Sequence, residues 1–120
     1  MKDFAYDFEK LTVYQRALDL AELVYRSTAS FPAAEIYGTV SQMRRAAVSV
    51  SLNIAEGKGR YYSKIYVQFL YQARGSLYEV IALVKLSHRL AFLDDQGAEL
   101  LMGNCNEVAG LLNNLIRSLK

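Results

Sequence analysis

The chain has 120 residues and a mass of 13.5 kDa, which is one domain by size, and its 52% apolar content with a single proline suits a folded chain with a real core rather than a disordered one. Lys and Arg number 14 against 12 Asp and Glu, a net charge of +2, and one cysteine with one histidine excludes a disulfide framework, a cysteine-based zinc site and most histidine-dependent catalysis. The longest uncharged run, 46–55, is too short to span a membrane, and Met1-Lys2-Asp3-Phe4 puts charge where a secretory leader needs an apolar run, so a soluble, cytoplasmic chain with a reduced thiol is expected.

Four amphipathic helices account for nearly everything, with no strand-like alternation and no internal repeat. The first opens at Thr12, where Thr12-Val13-Tyr14-Gln15 has capping-box spacing, and runs to about residue 30, before Pro32. It carries two adjacent apolar stripes: Leu11, Tyr14, Leu18, Ala21 and Tyr25, beside Val13, Ala17, Leu20 and Val24. Residues 32–38 read as a turn. The second helix covers about 39–56 on Val40, Met43, Ala47, Val50 and Ile54, with Gly57 placed for a left-handed C-terminal cap. The third covers about 63–91, with Ser63 as N-cap. Its main stripe is Tyr66, Leu70, Ala73, Leu77, Val80, Val84, Ser87 and Ala91, and a second holds Ile65, Phe69, Leu83, Leu86 and Leu90. The fourth covers about 95–118, capped by Asp94 and Asp95, with the seam Ala98, Leu101, Cys105, Val108, Leu112, Leu115 and Leu119. Short links make neighbours antiparallel. The expected fold is therefore all-α, an antiparallel up-down-up-down four-helix bundle in one domain over residues 1–120. The surplus stripes on the first and third helices predict self-association.

Charge is uneven. Residues 1–37 have net charge −2, residues 38–91 have +6, from eight bases and two acids, and residues 92–120 have −2. The basic third also holds Tyr61, Tyr62, Tyr66, Tyr71 and Tyr78, an asymmetry that bears on partners.

Catalysis is not expected. His88 has no carboxylate partner in its own segment, and Lys85 stands where a bundle di-iron site needs Glu. Cys105 lies on an apolar seam and reads as core. Gly57-Lys58-Gly59-Arg60 lacks phosphate-loop spacing and follows a helix rather than a strand. Lys58, Arg60, Ser63 and Lys64 do cluster at a helix N-terminus, where a backbone phosphate of RNA could sit. No catalytic residue, metal or cofactor is assigned.

The middle helices carry polar ridges. Gln42, Arg45, Ser49, Asn53, Glu56 and Arg60 form one on the second helix; Gln68, Gln72, Ser76 and Glu79 form another on the third, flanked by Ala73 and Gly75. They fit either a solvated face or a buried network pairing Arg74 or Arg45 with Glu56 or Glu79, and Gly75 suggests a close approach of a backbone or ligand. A further ridge, Tyr71, Arg74, Tyr78, Lys85 and Arg89, interleaves rings and cations, which suits nucleic acid or a protein interface.

Five stretches give the chain a family resemblance: Phe8-Glu9-Lys10-Leu11-x-Val13-Tyr14-Gln15, Phe31-Pro32-x-x-Glu35-x-Tyr37-Gly38, Gln42-x-Arg44-Arg45-Ala46-Ala47-Val48-Ser49-Val50, Asn53-Ile54-Ala55-Glu56-Gly57-x-Gly59-Arg60 and Phe69-Leu70-x-x-Ala73-Arg74-Gly75-Ser76-x-x-Glu79. The chain resembles the four-helix-bundle proteins encoded within intervening sequences of 23S ribosomal RNA genes. Tyr14 departs from the family's common Trp, and Ile65 from a common acidic residue. The resemblance implies a left-handed up-down bundle assembling as a homopentameric ring, with no enzymatic activity. It also implies a distant likeness to the accessory protein of diversity-generating retroelements, a basic pentameric barrel that works with nucleic acid and a reverse transcriptase. By motif match it points to Arg44, Arg45, Asn53, Glu56, Arg60, Arg74 and Glu79.

The reading is a non-enzymatic homopentamer that binds RNA or DNA. Arg44, Arg45, Lys58, Arg60 and Arg74 would meet phosphates, and Tyr61, Tyr62 and Tyr71 would stack on bases. Asn53, Glu56, Ser76 and Glu79 would serve the oligomer or a polar network. The alternative is a protein-interaction scaffold whose arginines are used inside the oligomer.

Overall fold

Four helices, α1 (Thr12–Thr28), α2 (Ser41–Lys58), α3 (Ser63–Arg89) and α4 (Asp95–Ser118), share one apolar core, and no strand occurs among the described residues. The computed structural model describes residues 4–120; Met1, Lys2 and Asp3, part of the leader argument, lie outside the described residues. No helix among the described residues is long and apolar enough to cross a membrane.

Each helix packs on its neighbours in the ring α1–α2–α3–α4, most extensively between α2 and α3. Contacts fix the directions. Arg44 at the start of α2 reaches Tyr25 and Thr28 at the end of α1, and Gly57 at the end of α2 lies against Tyr66 and Phe69 early in α3. Arg74 meets Asn113 while His88 meets Asp95, so numbers rise on α3 as they fall on α4. With Ser49 beside Ser76, the pairs α2–α3 and α3–α4 therefore run antiparallel.

The core takes mainly one stripe from each helix. On α1 it takes Val13, Ala17, Leu20 and Val24, and leaves Leu18 and Tyr25 exposed. On α3 Tyr66, Leu70, Ala73, Leu77, Val80, Val84 and Ser87 are buried, whereas Ile65, Leu86 and Leu90 of the second stripe are exposed. Ala21 of the other α1 stripe and Leu83 of the second α3 stripe are buried as well, so the enclosed face is wider than one stripe but does not take in the whole of both.

Helix ends depart from expectation in four places. Thr12 is the first helical residue, not the cap. The cap is Leu11, without a side-chain bond, because a 3-10 turn over Asp7–Lys10 precedes α1 and Gln15 Nε2 donates to the Glu9 carbonyl at 2.9 Å. Ser63 likewise stands inside α3, whose cap is the extended Tyr62. Residues 32–38 are not a plain turn: a 3-10 turn over Ala33–Glu35 leads into a π turn over Ile36–Val40, kinked at Gly38, that runs straight into α2. Gly57 is no left-handed cap, since α2 continues through Lys58 and no described glycine has positive φ. The left-handed residue is Ala91 at φ 63°, which closes α3 as the Phe92 N–H reaches the Ser87 carbonyl at 2.9 Å. Asp94 does cap α4, accepting from the Gly97 N–H at 2.7 Å.

Candidate nucleic-acid interface

The basic middle third is divided between the two ends of the bundle. Arg44 and Arg45 lie at the start of α2, whereas Lys58 closes it and Arg60 follows, about 22 Å further along the helix axis at 1.5 Å per residue. The residues assigned to nucleic acid therefore do not form one patch.

At the first end Arg44 is half-buried and engaged within the protomer. Its Nε donates to Thr28 Oγ1 at 3.0 Å, its Nη2 donates to the Tyr25 carbonyl at 3.3 Å, and its guanidinium lies 4.6 Å from the Tyr25 ring centre. Arg45 beside it is exposed and has no ion-pair partner among the described residues.

The second end is built from cations on rings. Lys58 Nζ lies 5.9 Å from the Tyr66 ring centre, and the Arg60 guanidinium 4.7 Å from that of Phe69. Arg74 Nη1 donates to Asn113 Oδ1 of α4 at 3.1 Å, with its guanidinium 4.8 Å from the Tyr71 ring centre. Lys120 donates to Tyr71 Oη at 2.8 Å and lies 5.4 Å from the same ring centre. That hydrogen bond, with the Lys120 and Arg74 charges, holds the Tyr71 hydroxyl below the usual tyrosine range. Tyr71 thus holds Arg74 against its ring and Lys120 at its hydroxyl. The open rings are Tyr61 and Tyr62, 91% and 64% exposed, packed edge to face 4.9 Å apart at the α2–α3 link.

The polar ridges meet where α2 crosses α3. Ser49 Oγ and Ser76 Oγ are 2.9 Å apart, and Asn53 Nδ2 donates to the Ser49 carbonyl and hydroxyl at 2.9 and 3.1 Å. The expected pairing of Arg74 or Arg45 with Glu56 or Glu79 is not formed within the protomer. Arg74 turns to α4, Glu56 lies 3.9 Å from Arg60, and Glu79 is exposed without an ion-pair partner among the described residues. Gly75 is also not a point of close approach inside the protomer, since a Cβ there would meet nothing within 4 Å.

Electrostatic pairing separates this region from the rest. Arg16 meets Asp19 and Glu107, both at 2.8 Å, which raises its pKa further, and Arg26 meets Glu22. Of the eight bases in residues 38–91, Arg60 alone meets a carboxylate among the described residues. Sequence reasoning missed Asn113 and Lys120. Averaging over residues 92–120 hid that every acid there lies at or before Glu107, so the end of α4 is basic where it meets α3.

Two other candidates resolve simply. The fold supplies His88 with a carboxylate from α4, Asp95, its Oδ1 2.7 Å from Nε2, in an exposed position. Cys105 is fully buried, which pushes its thiol up to about 11. No group of three or more His, Cys, Asp or Glu side chains that could hold a metal occurs among the described residues.

The family model for the 23S rRNA-intervening sequence protein matches residues 9–114. Among solved structures, the chain is similar to a protein of unknown function from the S23 ribosomal protein family of Bacteroides thetaiotaomicron, with a TM-score of 0.79 and 18% identity, over 88% of this chain and 98% of that one. At that identity the likeness speaks for the fold alone. No curated protein matches the sequence significantly.

Proposed function

From the premise that the chain belongs to the 23S rRNA-intervening sequence protein family, we propose that it is a non-enzymatic, cytoplasmic homo-oligomer that binds RNA or DNA through the basic surface of α2 and α3. The pentameric state follows the resemblance of its motifs. The observation that carries the reading is the charge pairing: a segment of net charge +6 in which Arg60 alone meets a carboxylate, among the described residues. Copies of that segment in a ring would sum to a strong positive field, although each chain carries only +2. Exposed Leu18 and Tyr25 on α1, Leu52 on α2, Leu86 on α3 and Leu90 just after it support burial against further copies.

The test is a salt series with labelled single-stranded RNA and duplex DNA, on protein whose mass is fixed by light scattering. Binding that weakens linearly in log salt is expected. A correctly assembled oligomer that binds neither at low salt would refute the reading.

One observation favours a second reading, a scaffold that binds another protein. Among the described residues, the Ser49–Ser76–Asn53 face leaves Gly75 open and Glu79 unpaired, which suits arginines from another copy. Arg74→Ala should then break assembly before it affects binding. An intact oligomer of that variant would count against the scaffold.

A further inference from the structure

We infer that the nucleic acid is single-stranded, and that it runs from the Tyr61–Tyr62 pair at the α2–α3 link to a phosphate site made by Arg74 of α3 and Lys120 after α4. The inference rests on the nucleic-acid reading above and adds the class of strand and its place on the protein.

Two stretches remote in sequence create the site. Residues 57–78 hold Lys58, Arg60, Lys64 and Arg74 with no Asp or Glu, and residues 108–120 hold Arg117 and Lys120, again with none. The fold joins them through the Arg74–Asn113 and Lys120–Tyr71 hydrogen bonds. Arg74 and Lys120 then lie 4.8 and 5.4 Å from one ring centre, and neither has a carboxylate partner among the described residues. Both cations border the same ring, and an anion beside it is attracted by each. Asn113 engages only Nη1 of Arg74, so most guanidinium donors remain available.

The rings decide the strand. Tyr61 and Tyr62 are too exposed to serve the core. A duplex keeps its base faces stacked internally, whereas unpaired bases offer theirs to aromatic side chains. Tyr62 and Tyr71 are about 14 Å apart along the helix axis, with Lys64 between them, a span for more than one nucleotide. The opposite end of the bundle is a poorer candidate. It has Arg45 and the exposed Tyr37, but Arg44 is engaged there, and Glu35, Asp94 and Asp95 share that end.

The experiment measures anisotropy of labelled single-stranded RNA, the matched DNA strand and the duplex on the assembled full chain. Single strands should bind about tenfold tighter than the duplex, and the RNA and DNA arms identify which strand is taken. Tyr61→Leu/Tyr62→Leu should lose about tenfold in affinity with the salt slope unchanged. Arg74→Gln/Lys120→Gln should reduce the slope by about 1.4, near 0.7 for each phosphate contact. If that pair disturbs assembly, Lys120→Gln alone carries the test, with a loss of about 0.7. Equal binding of duplex and single strand, or binding lost in Arg45→Ala but kept in both double variants, overturns the inference while the nucleic-acid reading stands. Binding of nothing by the assembled wild type overturns both.

Discussion

A Cβ placed on Gly57 would lie 2.8 Å from Phe69 Cβ, 2.9 Å from Tyr66 Cδ1 and 3.3 Å from the Tyr66 carbonyl oxygen. The end of α2 thus packs on α3 at a distance that only glycine allows, directly before the basic link. Gly57→Ala should destabilise by about 1–3 kcal/mol, although alanine favours a helix by about 1 kcal/mol, because neither a Cβ nor a main-chain oxygen can move aside cheaply. Gly75→Ala, into open space, should instead stabilise the protomer by about 0.5–1 kcal/mol. Urea midpoints compare the two; equal shifts would contradict the packing. Reduced assembly of Gly75→Ala in sedimentation would place Gly75 between copies.

Tyr66 Oη is buried without a hydrogen-bond partner among the described residues, and burial raises its pKa. Tyr66→Phe keeps the ring and removes an unsatisfied hydroxyl, so stability should rise by about 1 kcal/mol. A loss of stability in chemical denaturation would mean that the hydroxyl has a partner.

Neighbouring arginines should behave differently. Arg44→Ala removes two hydrogen bonds to α1 and the Tyr25 ring contact, and should cost about 1–2 kcal/mol. Arg45→Ala removes no ion pair seen among the described residues and should stay within about 0.5 kcal/mol of the wild type. Thermal melts of both variants check this. The contrast makes Arg45→Ala the cleaner probe of binding, since Arg44→Ala mixes binding with folding.

The Cys105 thiol gives a pH signature. Its pKa rises from 9.0 to about 11 on folding, so the folded state holds the proton more tightly. This contribution is fully present below pH 9.0, falls as the unfolded thiol ionises, and is gone above about 11. The loss is at most about 3 kcal/mol. Unfolding of wild type and Cys105→Ala across that window isolates the thiol: the gap between them should narrow as pH rises. A constant gap would show that the thiol is not desolvated.

The sequence made the four helices legible because apolar residues at spacings of three and four define which face of each helix is buried. Asp94 was legible as a cap for the same local reason. Thr12 and Ser63 misled because an N-cap depends on where the preceding chain enters, and Leu11 and the extended Tyr62 fill that position instead. Gly57 has the composition of a cap, but the nearness of Phe69 is a property of two helices together.

Sequence alone determined the helices, their order and the excess of positive charge in the middle of the chain, and on α1 and α3 it offered two apolar stripes without choosing between them. Those properties follow from spacing and composition within one segment. Only the tertiary structure decided which cations are engaged. It turned Arg44 onto Tyr25 and Thr28, turned Arg74 onto Asn113, and brought Lys120 to Tyr71 across 49 residues of sequence. The physical reason is that side-chain pairing between helices depends on their rotation and register, which packing of the whole core sets and no single segment encodes.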